Sequence, residues 1–126
     1  MRVVVPVVRV RDELFVSPHF GRALGFAVYV VEDNSYRLEG VYNNPVSPQE
    51  KSGSGRGRRV LSFVFSLRPD IVVVKSIGSG AFYNLREMGI RIYRTSDKYA
   101  DEAIEKLVKG ELEELKKPIE FHSRGQ

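Results

Sequence analysis

The stretch "VSPHFGRALGF", Val16 to Phe26, sets an imidazole, a guanidinium and two glycines close together. A neutral imidazole is a metal ligand, and a guanidinium three residues on supplies fixed positive charge. Ser17 and Pro18 read as the start of one helical turn. Ser accepts from a free amide, and Pro suits the first helical position. Gly21 then ends that turn in a left-handed conformation. Phe20 anchors it to the core, so His19 and Arg22 project to the other side. Neither has a task in holding such a turn, which leaves both for a metal or an anion. The same residues also fit a plain turn in which His19 satisfies a nearby carbonyl.

Two further stretches could hold an anion. "KSGSGRGRR", 51–59, lacks the Gly-Lys-Ser/Thr ending and the preceding strand of a nucleotide loop. What remains is a basic loop entering a helix, where free amides with Arg56, Arg58 and Arg59 would attract negative charge. Read blandly, it is a solvated linker. "VKSIGSGAF", 74–82, ends a strand, turns on Gly78, Ser79 and Gly80, and opens a helix with its amides bare. Ligands of open α/β sheets gather at such strand ends. The glycines serve a tight turn equally well, and Lys75 can point either way. Catalysis finds little support. The first strand carries no carboxylate to hold Mg²⁺, and Ser17, Ser76 and Ser79 have no general base evident in the sequence. We therefore expect no enzyme.

The elements that would position these residues follow from periodicity. Residues 3–8, "VVVPVV", read as a strand buried on both faces, with Pro6 suggesting an edge or a bulge. "GFAVYVVED" and "SYRLEGVYN" form a hairpin about Asp33 and Asn34. A Gly- and Pro-rich connection covers 44–58. Val60, Leu61, Val64, Phe65 and Leu67 then follow helical spacing up to Pro69. "DIVVVKS" is a buried strand. Ala81, Phe82, Leu85 and Met88 share a helix face that stops at Gly89. "IRIYR" is a strand, and 98–115 an amphipathic helix interrupted at Gly110. The order β-β-β-α-β-α-β-α calls for a mixed α/β sheet with helices on its faces. The domain is expected over 1–115, with a frayed tail at 116–126.

Composition narrows the classes. The 126 residues make one ordinary domain, and 42% hydrophobic with 29% charged residues is a globular balance. The chain has no cysteine, which excludes disulfides and thiolate-held clusters. Any metal cluster must rely on His, carboxylate or backbone. A net charge of +4 permits anionic partners without requiring them. No apolar run approaches the roughly 20 residues of a membrane span, and the start shows no signal peptide. A cytoplasmic protein is expected, with no membrane partner.

Several of these segments together resemble one known family. They are "VPV" in the first strand, "VSPHFGRALGFAVYVVED", the Asn-Pro after the third strand, "DIVVVKSIGSGAFYNLREMGIRIY" and "ADEAIEKLVKGEL". In this order they are similar, over 1–115, to the dinitrogenase iron–molybdenum cofactor biosynthesis family. The resemblance implies a ribonuclease-H-like fold, a mixed five-stranded sheet with flanking helices. It implies a small non-enzymatic carrier or chaperone of iron–sulfur or iron–molybdenum-type cluster, with cluster donor or acceptor proteins as partners. Carried over, His19 is the cofactor contact and metal ligand, flanked by Arg22 and the turn Gly78, Ser79, Gly80. Family members often carry a His in the Gly-rich segment before the first long helix; here that segment is "GSGRGRRVL". Its arginines favour an alternative, a binding module for an anionic partner through Arg22, Arg56, Arg58, Arg59 and Lys75. The partner would be a nucleotide, an acidic protein or, less in keeping with the sequence, nucleic acid.

Overall fold

The computed structural model describes residues 1–51, 53 and 55–120. Its elements are β1 (Arg2–Val10), β2 (Glu13–Val16), β3 (Gly25–Glu32), β4 (Ser35–Asn43), α1 (Arg56–Ser66), β5 (Ile71–Val74), α2 (Ser79–Glu87), β6 (Arg91–Arg94), α3 (Ala100–Val108) and β7 (Glu113–Glu114). The sheet is mixed and seven-stranded, in the order β4-β3-β1-β5-β6-β7, with β2 also paired to β1.

The five expected strands are all present, but the count of five and the order β-β-β-α-β-α-β-α need correction. Two strands were not legible. β2 is four residues long and follows β1 through a tight turn with Arg11 at φ 58°. β7 is only Glu113 and Glu114, with no apolar pattern; it forms on the free edge of β6, where Arg91 Nη2 meets Glu114 Oε1 at 2.8 Å.

Pro6 is neither at an edge nor in a bulge. β1 is central, paired antiparallel to β3 and parallel to β5. Pro6 falls between Val4, which pairs with Val72 of β5, and Val7, which pairs with Val16 of β2. Its missing N–H lies where β1 exchanges one neighbour for the other. Its carbonyl accepts from the Ser17 N–H at 2.8 Å.

Alternation along β1 splits the core. Val3, Val5 and Val7 face a cluster containing Ala100, Ala103 and Ile104 of α3. Val4 faces the other, with Val60 and Val64 of α1 and Phe82 and Leu85 of α2. Both β1 and β5 are thus buried on two faces, and both read as continuous apolar runs. In β4 the register slips beside Glu39. The extra residue restores the face of Val41, so Tyr36 and Val41 pack on the α3 side despite their odd spacing.

The helices are shorter or shifted relative to expectation. α1 begins at Arg56, four residues before its first apolar position. α2 ends at Glu87, so Met88 leaves the apolar face and is 64% exposed. α3 stops at Val108, and Gly110 takes φ 74°. The last two leucines of the expected helix then part: Leu112 packs on the α3 side and Leu115 on the α1–α2 side. Of the tail expected to fray, Ile119 accepts from the Ile77 N–H at 2.5 Å, forming an isolated bridge. Residues 121–126 lie outside the described residues, as does the second histidine. No described helix is long and apolar enough to cross a membrane.

Candidate functional site

Three chain segments meet at one open cleft of about 620 Å³. The β2–β3 loop brings His19 and Arg22, the start of α1 brings Arg56 and Arg58, and the β5–α2 turn brings Gly78 and Gly80. All six were singled out from the sequence. The remaining three singled-out residues lie elsewhere. Ser79 is exposed beside the cleft, and Arg59 pairs with Glu50 outside it. Lys75 is half-buried toward Asp97, whose carboxyl its charge helps to hold in the ionised form.

The β2–β3 loop does not contain the expected helical turn. Gly21 is not left-handed. Instead Ser17 is buried, accepts from the His19 N–H at 3.2 Å and donates to the His19 carbonyl at 2.8 Å. The tight turn comes later, where the Ala23 N–H donates to the Phe20 carbonyl at 3.3 Å. Phe20 is buried, as expected, edge-on to Phe26. Ser76 clamps the loop to the end of β5 by donating to the Pro18 carbonyl at 2.5 Å. His19 is left exposed at the rim.

Arg22 does carry a structural task, contrary to expectation. Its guanidinium donates to the Pro48 carbonyl and, at 3.3 Å, to that of Glu50. It thereby holds the segment after β4. Asn44 holds the same segment from the other side, donating to the carbonyls of Gly21 at 3.2 Å and Ala23 at 2.9 Å. The Asn-Pro at 44–45 marked this anchor in the sequence, without indicating what it grips.

Arg56 is the most constrained cation of the site. It is only 7% exposed, although it is the first residue of α1. Its Nη2 donates to the Gly21 carbonyl at 3.0 Å and weakly to that of Ser47 at 3.4 Å, while Nε has no hydrogen-bond partner. Burial, and then the nearby charge of Arg22, push its proton affinity below that of a free guanidinium. The group remains cationic at any ordinary pH.

Two helix N-termini open on the cleft. Gly55 precedes α1 in a left-handed conformation and Gly78 precedes α2 in an extended one; neither helix has a side-chain cap or an acidic residue in its first turn. Their leading N–H groups therefore present uncompensated positive potential. A Cβ at Gly57, Gly78 or Gly80 would meet nothing within 4 Å. These glycines leave backbone bare toward the cleft; packing does not demand them. The far wall is apolar, from Val60, Leu61, Ile77 and Ala81. The negative group at the cleft is Glu120, exposed beyond the Ile77–Ile119 bridge. No sequence signal pointed to it, because only the tail's return to β5 brings it there. Among the described residues no group of three or more His, Cys, Asp or Glu could hold a metal ion. The cleft thus offers one ligating imbalance: a single imidazole among guanidinium and amide N–H groups.

A family model for dinitrogenase iron-molybdenum cofactor matches residues 1–110. The chain belongs to this family. It is 24% identical over 115 residues to an uncharacterized protein of Methanocaldococcus jannaschii, covering 91% of this chain and 92% of that one. The apo form of the orange protein from Desulfovibrio gigas superposes with a TM-score of 0.76 at 22% identity, covering 93% of this chain and 94% of that one. A Thermotoga protein solved by NMR as a NifB candidate has a TM-score of 0.70 at 27% identity, with 98% of each chain covered.

Proposed function

We propose that this protein is a non-enzymatic carrier of an anionic metal–sulfur cluster, of the iron–molybdenum cofactor type or a precursor of it. Family membership supports the cofactor class. The carrying observation is the composition of the cleft: one exposed imidazole, three arginines that line it together, and two uncapped helix N-termini. Such a donor set suits a preassembled anionic cluster better than a metal ion built up ligand by ligand. Bridging sulfides and terminal oxo or thio groups accept hydrogen bonds from guanidinium and amide N–H groups. His19 supplies one metal bond. A cargo held by one protein–metal bond and by charge is released by breaking that bond, which suits handover to an acceptor protein. On this reading β1, β3, β4, β5 and β6, the five strands expected from the sequence, are the ribonuclease-H-like kernel that the sequence resembles, and the protein acts as a soluble cytoplasmic shuttle.

The test is anaerobic incubation with a preformed iron–sulfur–molybdenum cluster, then desalting, with absorption spectra and metal analysis. The wild type should emerge coloured, with metal in a fixed ratio to protein. His19→Ala should lose most of the colour with little change in thermal stability, since an exposed side chain contributes within about 0.5 kcal/mol. Gly80→Ala should gain up to about 1 kcal/mol from helix propensity yet capture less cluster, because its methyl group enters the cleft. A colourless wild type would sink the proposal, as would capture that both variants leave intact.

A further inference from the structure

The α1 end of the cleft has a charge imbalance that cluster carriage does not require. Arg56 is a buried cation, and among the described residues no carboxylate pairs with it. One of its donors, Nε, is unsatisfied. Burying an unpaired charge and an orphaned donor is costly. Next to it, α1 starts without a side-chain cap, and its first intrahelical bond is from the Arg59 N–H to the Gly55 carbonyl at 3.1 Å. The N–H groups of Gly57 and Arg58 precede that bond and have no intrahelical acceptor. Arg58 is exposed on the cleft wall, and Arg22 brings a further guanidinium. Glu120 is the opposing charge at the cleft and is exposed to water.

We propose that this end of the cleft is a seat for a tetrahedral oxyanion of the phosphate or molybdate kind, held by Arg56 and by the Gly57 and Arg58 amides. The two amides and the Arg56 guanidinium, whose Nε–H is unsatisfied and closed off from water until the side chain turns to the anion, supply several N–H donors, and tetrahedral oxygens accept from several directions at once. The bound charge would compensate the cations that Arg56 and Arg22 bring together. The seat shares the cleft of the proposed cluster but needs neither His19 nor a metal. The same chemistry serves a free ion and a phosphate carried by a small molecule whose body rests on Val60 and Leu61.

The experiment is amide NMR of the whole chain, titrated at constant ionic strength with inorganic phosphate, molybdate or adenosine monophosphate, and with chloride as the control. The expected result is saturable shifting of the Gly57 and Arg58 amides by phosphate and molybdate but not by chloride. Arg56→Lys keeps the charge but loses Nε and the planar fork, and should weaken binding about tenfold or more. Equal affinity for phosphate and adenosine monophosphate assigns the seat to the free ion; tighter adenosine monophosphate assigns it to a phosphorylated ligand. Should Arg56→Lys fold poorly, Arg58→Gln in its place should weaken binding. Wild-type amides at 57 and 58 that respond to phosphate no more than to chloride overturn the seat. Cluster capture, measured separately, decides the carrier reading: a coloured protein with unmoved amides loses only the seat, and a colourless protein with saturable shifts loses only the carrier.

Discussion

Arg22 is a residue whose role changes once its surroundings are known. In the sequence it is a charge three places after a histidine, with no evident structural work. In the fold its guanidinium is spent partly on the carbonyls of Pro48 and Glu50. Arg22→Ala should therefore destabilise the protein by roughly 1–2 kcal/mol, the worth of charge-assisted bonds that water partly replaces. It should also raise hydrogen exchange across 44–50, and denaturant titration with exchange mass spectrometry checks both. A variant as stable as wild type, with unchanged exchange, would return Arg22 to the free role first read. His19 kept the position expected of it, because it depends only on which side of Phe20 the chain faces. Arg56 could not be recognised as buried. Its guanidinium is held mainly by Gly21, 35 residues away along the chain, and no local pattern encodes that.

At the scale of elements, long apolar runs were legible and ends were not. β1 and β5 declared themselves because both their faces are covered. β7 did not, since two glutamates form a strand only where an arginine on a neighbouring edge awaits them. The end of α3 was marked by Gly110, but Leu112 and Leu115 kept helical spacing while serving opposite faces of the sheet. The turn into α3 carries its own pH dependence. Burial alone would raise the Asp97 carboxyl; hydrogen bonds from Lys106 and Thr95 outweigh it and hold the group below its usual range. Lys106 Nζ lies 2.8 Å from Asp97 Oδ1, and Thr95 Oγ1 2.7 Å from Oδ2. The folded-state pKa is depressed, so the stabilisation is complete above the unfolded value near 3.9. It is lost as pH falls through the lower folded one. Lys106→Met should flatten the acid limb of stability against pH between about 5 and 2, which urea titrations across that range would show. Parallel limbs in both proteins would remove Asp97 from the account.

The whole molecule divides at its sheet. The cleft, α1 and α2 lie with one core cluster, and α3 with the other. Damage on the α3 side should therefore lower stability without reshaping the cleft. Ile104 is fully buried, and Ile104→Ala should cost about 2–5 kcal/mol while cluster capture per folded molecule stays as in wild type. Equilibrium unfolding and capture measured on one preparation test this; a proportionate fall in capture would show the two faces to be coupled. The sheet also sets where the described chain begins and where its last described residue, Glu120, lies. The Met1 ammonium is held on the Val31 carbonyl at 2.9 Å, at the start of β1, whereas the Ile77–Ile119 bridge delivers Glu120 to the cleft. Residue 120, six positions from the end of the sequence, thus stands beside the candidate cargo. A polyhistidine purification handle joined after residue 126 would begin only six residues from a cleft that has an imidazole of its own, and metal counted in such a preparation would belong partly to the handle. Placed ahead of Met1, it starts from the far end of the central strand, away from the cleft's imidazole, and metal counted after the handle is cleaved off can be ascribed to the protein.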